Sequence, residues 1–263
     1  FGLIMNGMMR RVVHTRKIVD PDWAAKISGT SGKMLFNVLA ASEGVGGDPA
    51  HPHSEGRIFW GIARGKYSLG GDNSIGFIYT GKRGDTSENH VAGIDFQYRF
   101  FKNTRFLLSY LNSDSSKNVA ESEDSHRKGS GINSMFEYRS PEMDLWGGYE
   151  RYGTNFRMES AFQNRVGISR FVGYAAKHFY MPRNSAFSWI KRITPFLELS
   201  ALHDLNSGLN DSLIGPGIDL YFDKRGYFRA VHHREKEAWA GNLFSKTNLS
   251  FYGGMQPYKW III

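Results

Sequence analysis

The sequence contains no cysteine among its 263 residues. Within this chain that excludes disulfides, cysteine-ligated zinc, iron–sulfur clusters and thiol catalysis. No stretch reaches the roughly 18 consecutive apolar residues that mark a membrane-spanning helix. There is no C-x-x-C-H, so covalent haem is ruled out in this chain. Neither a phosphate-binding loop nor a dinucleotide fingerprint appears, and no G-x-S-x-G element offers an activated serine. Nothing here argues for an enzyme. The net charge is +8, but the Lys and Arg are scattered rather than gathered in one basic motif, which argues against nucleic acid as a partner. Apolar residues make up only 41% and proline stops at 8 residues. That is a thin aliphatic supply for a packed soluble interior.

Aromatics and glycine are plentiful, with 19 Phe, 13 Tyr, 6 Trp and 30 Gly. This suits a wall one residue thick, greasy on one side and wet on the other. A membrane strand needs only about 9–11 residues, and every second one can be polar. A mean hydropathy of −0.42 is compatible with such a wall.

The hydrophobic period is two nearly everywhere. Over 90–101, His90, Ala92, Ile94, Phe96, Tyr98 and Phe100 fall on one side, with Val91, Gly93, Asp95, Gln97, Arg99 and Phe101 on the other. A strand separates these sets and a helix would mix them. The same alternation sets Ile132, Phe136 and Tyr138 against Asn133, Glu137 and Arg139. It sets Ile214, Ile218, Leu220 and Phe222 against Gly215, Gly217 and Asp219. Strands are expected near 22–29, 33–43, 56–68, 73–82, 89–101, 104–113, 129–139, 143–154, 165–180, 187–203, 212–222, 227–239 and 242–256, with an earlier one at 10–18.

Short and long links largely alternate. Tight turns at 30–32, 70–72, 102–104, 140–142 and 223–226 trade with longer stretches such as 44–55, 114–128 and 155–164. An up-and-down meander with different solvents at its two ends has this rhythm, as outer-membrane barrels do. The expected fold is therefore all-β: a transmembrane antiparallel up-and-down β-barrel of about 13–14 strands, a part of a larger barrel. Residues 1–263 are expected to form a single outer-membrane β-barrel domain, a fragment of a longer chain.

Cost decides which face meets what. Unpaired charge in a dry core costs several kcal/mol, whereas charge facing a wet lumen costs little. Asp95, Gln97, Arg99, Asn133, Glu137, Arg139 and Asp219 are expected to face the lumen. The aromatics Phe59, Trp60, Tyr67, Tyr79, Tyr98, Phe100, Tyr138, Trp146, Tyr149 and Tyr152 are expected to face outward, in girdles. Residues 227–239 hold many charges for a lipid-facing strand and are expected to rise above the membrane. His51 and His53 form a His-x-His in a loop rich in proline and glycine and are the weak metal candidates. His232 and His233 point opposite ways in a strand. No cofactor is expected.

Several stretches resemble a known family. They are 26–32 (KISGTSG) followed by MLFNVLAA, then RIFWGIARGKYSLGGDNSIGFIYTGKR, then 89–95 (NHVAGID), and later 156–167 (FRMESAFQNRVG). Together they resemble the barrel region of domain-of-unknown-function family 5916, over roughly residues 10–255. Ala161 stands where a glycine is commoner. The family's barrel usually follows a periplasmic, carbohydrate-binding-like β-sandwich, which is absent from this sequence. The resemblance implies location and fold more than activity.

Three functional readings follow. The first is a porin-like channel or transport component of the bacterial outer membrane, with a charged lumen and a mild preference for anions. The second is a structural or anchoring barrel, a sheath for a partner in an outer-membrane complex such as an electron-transfer or secretion protein. The third is a soluble all-β binding protein. The expected partners are outer-membrane lipid and other subunits of a membrane complex.

Overall fold

The computed structural model describes residues 13–44, 56–117, 126–161, 165–182, 184, 187–223, 225–239 and 241–256. They are all-β, without an α-helix. The strands are β1 (Pro21–Ser31), β2 (Met34–Gly44), β3 (Arg57–Gly70), β4 (Asn73–Arg83), β5 (Ser87–Phe101), β6 (Thr104–Lys117), β7 (His126–Arg139), β8 (Met143–Tyr152), β9 (Ile168–Lys177), β10 (Phe179–Tyr180), β11 (Ile190–Asp204), β12 (Asn210–Phe222), β13 (Tyr227–Trp239) and β14 (Asn242–Gly254). They form one antiparallel up-and-down sheet in sequence order, with the two-residue β10 off the path as a partner of β11. Among the described residues the sheet is open, and no pairing joins its first and last strands. Leaving out β10, the path has thirteen strands. Because each step reverses direction, β1 and β14 carry the same sense.

Registers are long and nearly unbroken. β2 pairs with β3 from Met34↔Tyr67 to Gly44↔Arg57, and β13 pairs with β14 from Tyr227↔Gly254 to Trp239↔Asn242. The turns explain some of this regularity. Gly32 and Gly71 both sit at φ +57°, in the left-handed region that glycine enters without steric cost. The two-residue links they occupy fix the β1–β2 and β3–β4 registers. The expected strand at 10–18 is corrected: Thr15–Lys17 forms a 3-10 turn, and residues 10–12 lie outside the described residues. The expected strand 165–180 is Ile168–Lys177 plus the short β10. The alternation of link lengths ends at the last hairpin, where β13 and β14 are only two residues apart.

By contact, the chain divides into two compact units. One comprises Phe1–Phe100, Arg105–Met135 and Tyr149–Ser169, and the other Phe101–Thr104, Phe136–Gly148 and Arg170–Ile263. In the first unit β1 is exposed almost throughout, whereas strands such as β3 and β5 have a sheltered and an exposed face. On β3, Ile58, Trp60, Ile62 and Arg64 are buried while Phe59 and Tyr67 are exposed. On β5, Ser87, Asn89 and Val91 are buried while Ala92, Ile94, Tyr98 and Phe100 are exposed. Charge on the exposed face gathers beyond the apolar run, where Arg83 pairs with Glu88 at 3.0 Å, and Asp114 with His126 at 2.8 Å and Lys128 at 3.8 Å.

The second unit has the same two-sidedness. Its sheltered face holds a small core of Ala176, Phe196 and Val231 with Tyr174 against it. Its exposed face carries Leu199, Ile214, Ile218, Leu249 and Phe251. β13 departs from this pattern. Its exposed side begins with Phe228 and Ala230 but continues with His232, Arg234 and Lys236. Glu235 and Glu237 take the opposite side, where both meet Lys246 of β14 at 2.9 and 3.0 Å.

Candidate functional site

The sheltered face of the first unit is polar because it receives a segment of backbone. After β8, residues 153–161 fold over β4 to β7 instead of extending away. Asn89 holds the segment like a missing strand: its Nδ2 donates to the Arg157 carbonyl at 3.1 Å and its Oδ1 accepts from the Glu159 N–H at 3.0 Å. The Arg157 N–H donates to Ser113 Oγ at 3.1 Å, and Ser160 Oγ to Thr80 Oγ1 at 3.0 Å. The His14 N–H donates to the Ser160 carbonyl at 2.7 Å, which brings the start of the described chain onto the same segment. A buried backbone needs a partner for each N–H and C=O. Here strand side chains supply several of them.

Packing completes the attachment. Phe156 is 0% exposed, Met158 and Ala161 are buried beside it, and the Phe156 ring lies 5.5 Å from that of Tyr152. Gly129 makes room: a Cβ there would sit 2.3 Å from the Phe156 backbone nitrogen. At the flank of the segment lies a cavity of about 430 Å³ lined by Lys17, Glu43, Trp60, Lys82, Arg157 and Glu159, among others. Its charges are largely engaged. Lys82 pairs with Glu159 at 3.0 Å, and Glu43 accepts from Trp60 Nε1 at 3.1 Å and the Val19 N–H at 2.9 Å.

The residues expected on the wet side are placed as follows. Asp95 Oδ2 accepts a hydrogen bond from Arg64 Nη2 at 2.8 Å and its Oδ1 lies 2.6 Å from Nη1 as an ion pair, and Arg64 is 3% exposed. The guanidinium crosses β4 over Gly76, where a Cβ would lie 2.3 Å from it. Gln97 donates to the Asp72 carbonyl at 2.6 Å, and Arg99 pairs with the Asp72 carboxylate at 2.6 Å. Asn133 and Glu137 are buried. Arg139 is exposed at the end of β7. Asp219 is buried in the second unit, 3.7 Å from Arg229 Nε. His51 and His53 lie outside the described residues. Among the described residues no group of three or more His, Asp or Glu could hold a metal. Of the aromatics expected to face outward, Trp60 and Tyr152 are instead buried on the sheltered face. Trp146 shares that face of the second unit and stacks on Tyr174 at 6.0 Å. Each gains a partner or neighbour there that lipid would not provide.

The second unit holds a separate charge cluster. Arg229 pairs with Glu198, and its guanidinium lies 4.1 Å from the centre of the Phe196 ring. His233 Nε2 is 3.0 Å from the other Glu198 oxygen. His178 bridges Thr194 at 3.0 Å and Asp144 at 3.4 Å. Thr194 is 2% exposed, so this is a buried polar contact and not a nucleophile open to substrate.

The sequence read 155–164 only as a longer link. A signal was present in Phe156-x-Met158-x-Ser160, which alternates like a strand although no strand forms. No protein-family model matches the chain, and no curated protein matches it.

Proposed function

We propose that this chain is wall of a transmembrane β-barrel in the bacterial outer membrane, of the kind family 5916 carries, and that it serves as a porin-like channel or transport component. The observation that carries the reading is the bare apolar run on the exposed face. On β5 it extends from Ala92 to Phe100, about 26 Å at about 3.3 Å per residue. On strands tilted about 40° that run covers about 20 Å of height, most of the apolar band about 25 Å tall that outer-membrane barrels carry. Soluble proteins rarely leave a contiguous apolar surface beyond a few hundred Å². The open edges fit the same reading, since a barrel abolishes exposed strand edges. With β1 and β14 running in the same sense, antiparallel closure takes an odd number of further strands. The segment 153–161 then narrows the passage from within, and the charged residues of the sheltered face line it.

That same segment favours a second reading, a structural or anchoring barrel, because its backbone is tied down at several points rather than hinged. One experiment separates them. The purified protein is first checked for heat-modifiable migration on gels, then placed in planar bilayers. Steady conductance with a modest anion preference supports the channel. A heat-modifiable but electrically silent protein supports the anchoring barrel. Protein that never becomes heat-modifiable or membrane-inserted refutes both.

A further inference from the structure

We propose that the exposed face of β13 is a headgroup site, where His232, Arg234 and Lys236 hold the phosphates of an anionic lipid. The proposal rests on the membrane reading above and names one lipid class that this wall recognises. The imidazole of His232 and the cations Arg234 and Lys236 recur at every second position of an unbroken register, so they project from one face about 6.7 Å apart. They continue the line of Phe228 and Ala230. On β12 their neighbours on that face are Pro216, Ile214 and Ser212, and on β14 they are Leu249, Thr247 and Ser245. None of these is acidic.

Sorting within the strand strengthens the argument. Both carboxylates of the stretch, Glu235 and Glu237, turn to the opposite face and are taken by Lys246. Two exposed-face cations of the first unit, by contrast, sit beside carboxylates: Arg83 beside Glu88, and Lys128 beside Asp114. On β13 the arrangement leaves positive charge for something outside the chain. The partner's chemistry follows from what surrounds the charge. An Arg fork and a Lys ammonium match phosphate oxygens, and the hydroxyls of Ser212, Ser245 and Thr247 add donors. Toward the other end of the same strands the face turns apolar, through Ile218, Leu220, Phe228 and Phe251, as acyl chains below a headgroup require.

The full-length protein is refolded into vesicles of phosphatidylethanolamine with phosphatidylglycerol, extracted in mild detergent, and its retained phosphatidylglycerol counted by native mass spectrometry. Arg234→Gln with Lys236→Gln is expected to lower retention roughly 30-fold, at about fivefold for each surface cation. Arg234→Lys with Lys236→Arg is expected to keep it. Should the glutamine variant fail to fold, Thr247→Glu tests the same site by placing a carboxylate beside Arg234. Retention that survives excess inorganic phosphate assigns the site to a lipid, and retention abolished by it overturns that assignment. Equal retention by wild type and variants overturns the headgroup site while leaving the membrane reading intact. Failure of the wild type to insert overturns the membrane reading itself, and the site with it.

Discussion

Replacing Ile94 by Arg asks which solvent the exposed face meets. Ile94 lies near the middle of the apolar run on β5, is 58% exposed, and pairs across the sheet with Phe77, itself exposed. In water the change should matter little, since exposed substitutions away from special features usually fall within about 0.5 kcal/mol. In lipid an Arg at the midplane of a barrel wall costs about 2–4 kcal/mol. That range is a loss of roughly 30- to 700-fold in the folding equilibrium, at about tenfold for each 1.4 kcal/mol. The assay is a guanidinium titration of folding into phospholipid vesicles, followed by tryptophan fluorescence and by heat-modifiable migration. Two controls bracket it. Phe96→Arg, on the same face, is expected to behave like Ile94→Arg, while Gln97→Arg, on the sheltered side, is expected to perturb folding far less. A stability change within about 0.5 kcal/mol for Ile94→Arg, or equal effects at Phe96 and Gln97, would refute the assignment of faces.

Gly129→Ala should dislodge the inward segment, because its Cβ would lie 2.3 Å from the Phe156 nitrogen. Such overpacking costs about 1–3 kcal/mol; a faster amide exchange confined to 156–160 is the expected readout, and unchanged exchange counts against the docking. Asn89→Ala removes the two hydrogen bonds that Asn89 makes to the segment, and should speed exchange of the Glu159 amide while costing about 1–3 kcal/mol. Under the channel reading both variants should also raise conductance, and an unchanged single-channel current would argue that the segment does not narrow a passage. Arg64→Met leaves the partly buried Asp95 without its partner and should cost up to about 3–5 kcal/mol. Arg64→Met combined with Asp95→Leu should recover much of that loss in a chemical denaturation series, and failure to recover would mean that Arg64 acts through its bonds to the Phe77 and Gly65 carbonyls instead.

Much of the sheet was legible because the alternation that reveals a strand also sorts its faces. The run 90–101 separates Ile94, Phe96 and Tyr98 from Asp95, Gln97 and Arg99, and the structure keeps both sets together on their own sides. Tight turns were legible for a similarly local reason, through glycines such as Gly32 and Gly71. What escaped depends on partners distant in sequence. Trp60 reads as a girdle aromatic until Glu43, on another strand, accepts its N–H. Tyr152 reads the same way until Phe156 turns back against it. The segment 153–161 has no hydrogen-bonded ladder of its own, so its alternation could not be told from that of an irregular link. Its partners Thr80, Asn89 and Ser113 lie on three different strands far from it in sequence, so no local pattern joins them to it. The expected strand at 10–18 failed for the same reason, since His14 is bound to Ser160, far along the chain.

The sheltered face therefore has two physical reasons for its polarity. Some groups answer charge with charge, as Asp95 does with Arg64 across Gly76. Others answer backbone, as Asn89 and Ser113 do for the segment. The distinction matters for function. A segment held by side chains that donate and accept at fixed positions is attached at several points, and releasing it costs each bond together with the burial of Phe156 and Met158. Opening by thermal fluctuation would need those losses at once, since the bonds and the packing belong to one short stretch. A gate that moves with solute or voltage is better built on fewer contacts. The arrangement around 153–161 is thus that of a segment fixed to the sheet, which under the channel reading makes it a constriction rather than a gate. Under the channel reading, selectivity would be set where the charged side chains Lys17, Arg157, Lys82 and Glu159 line the cavity at its flank.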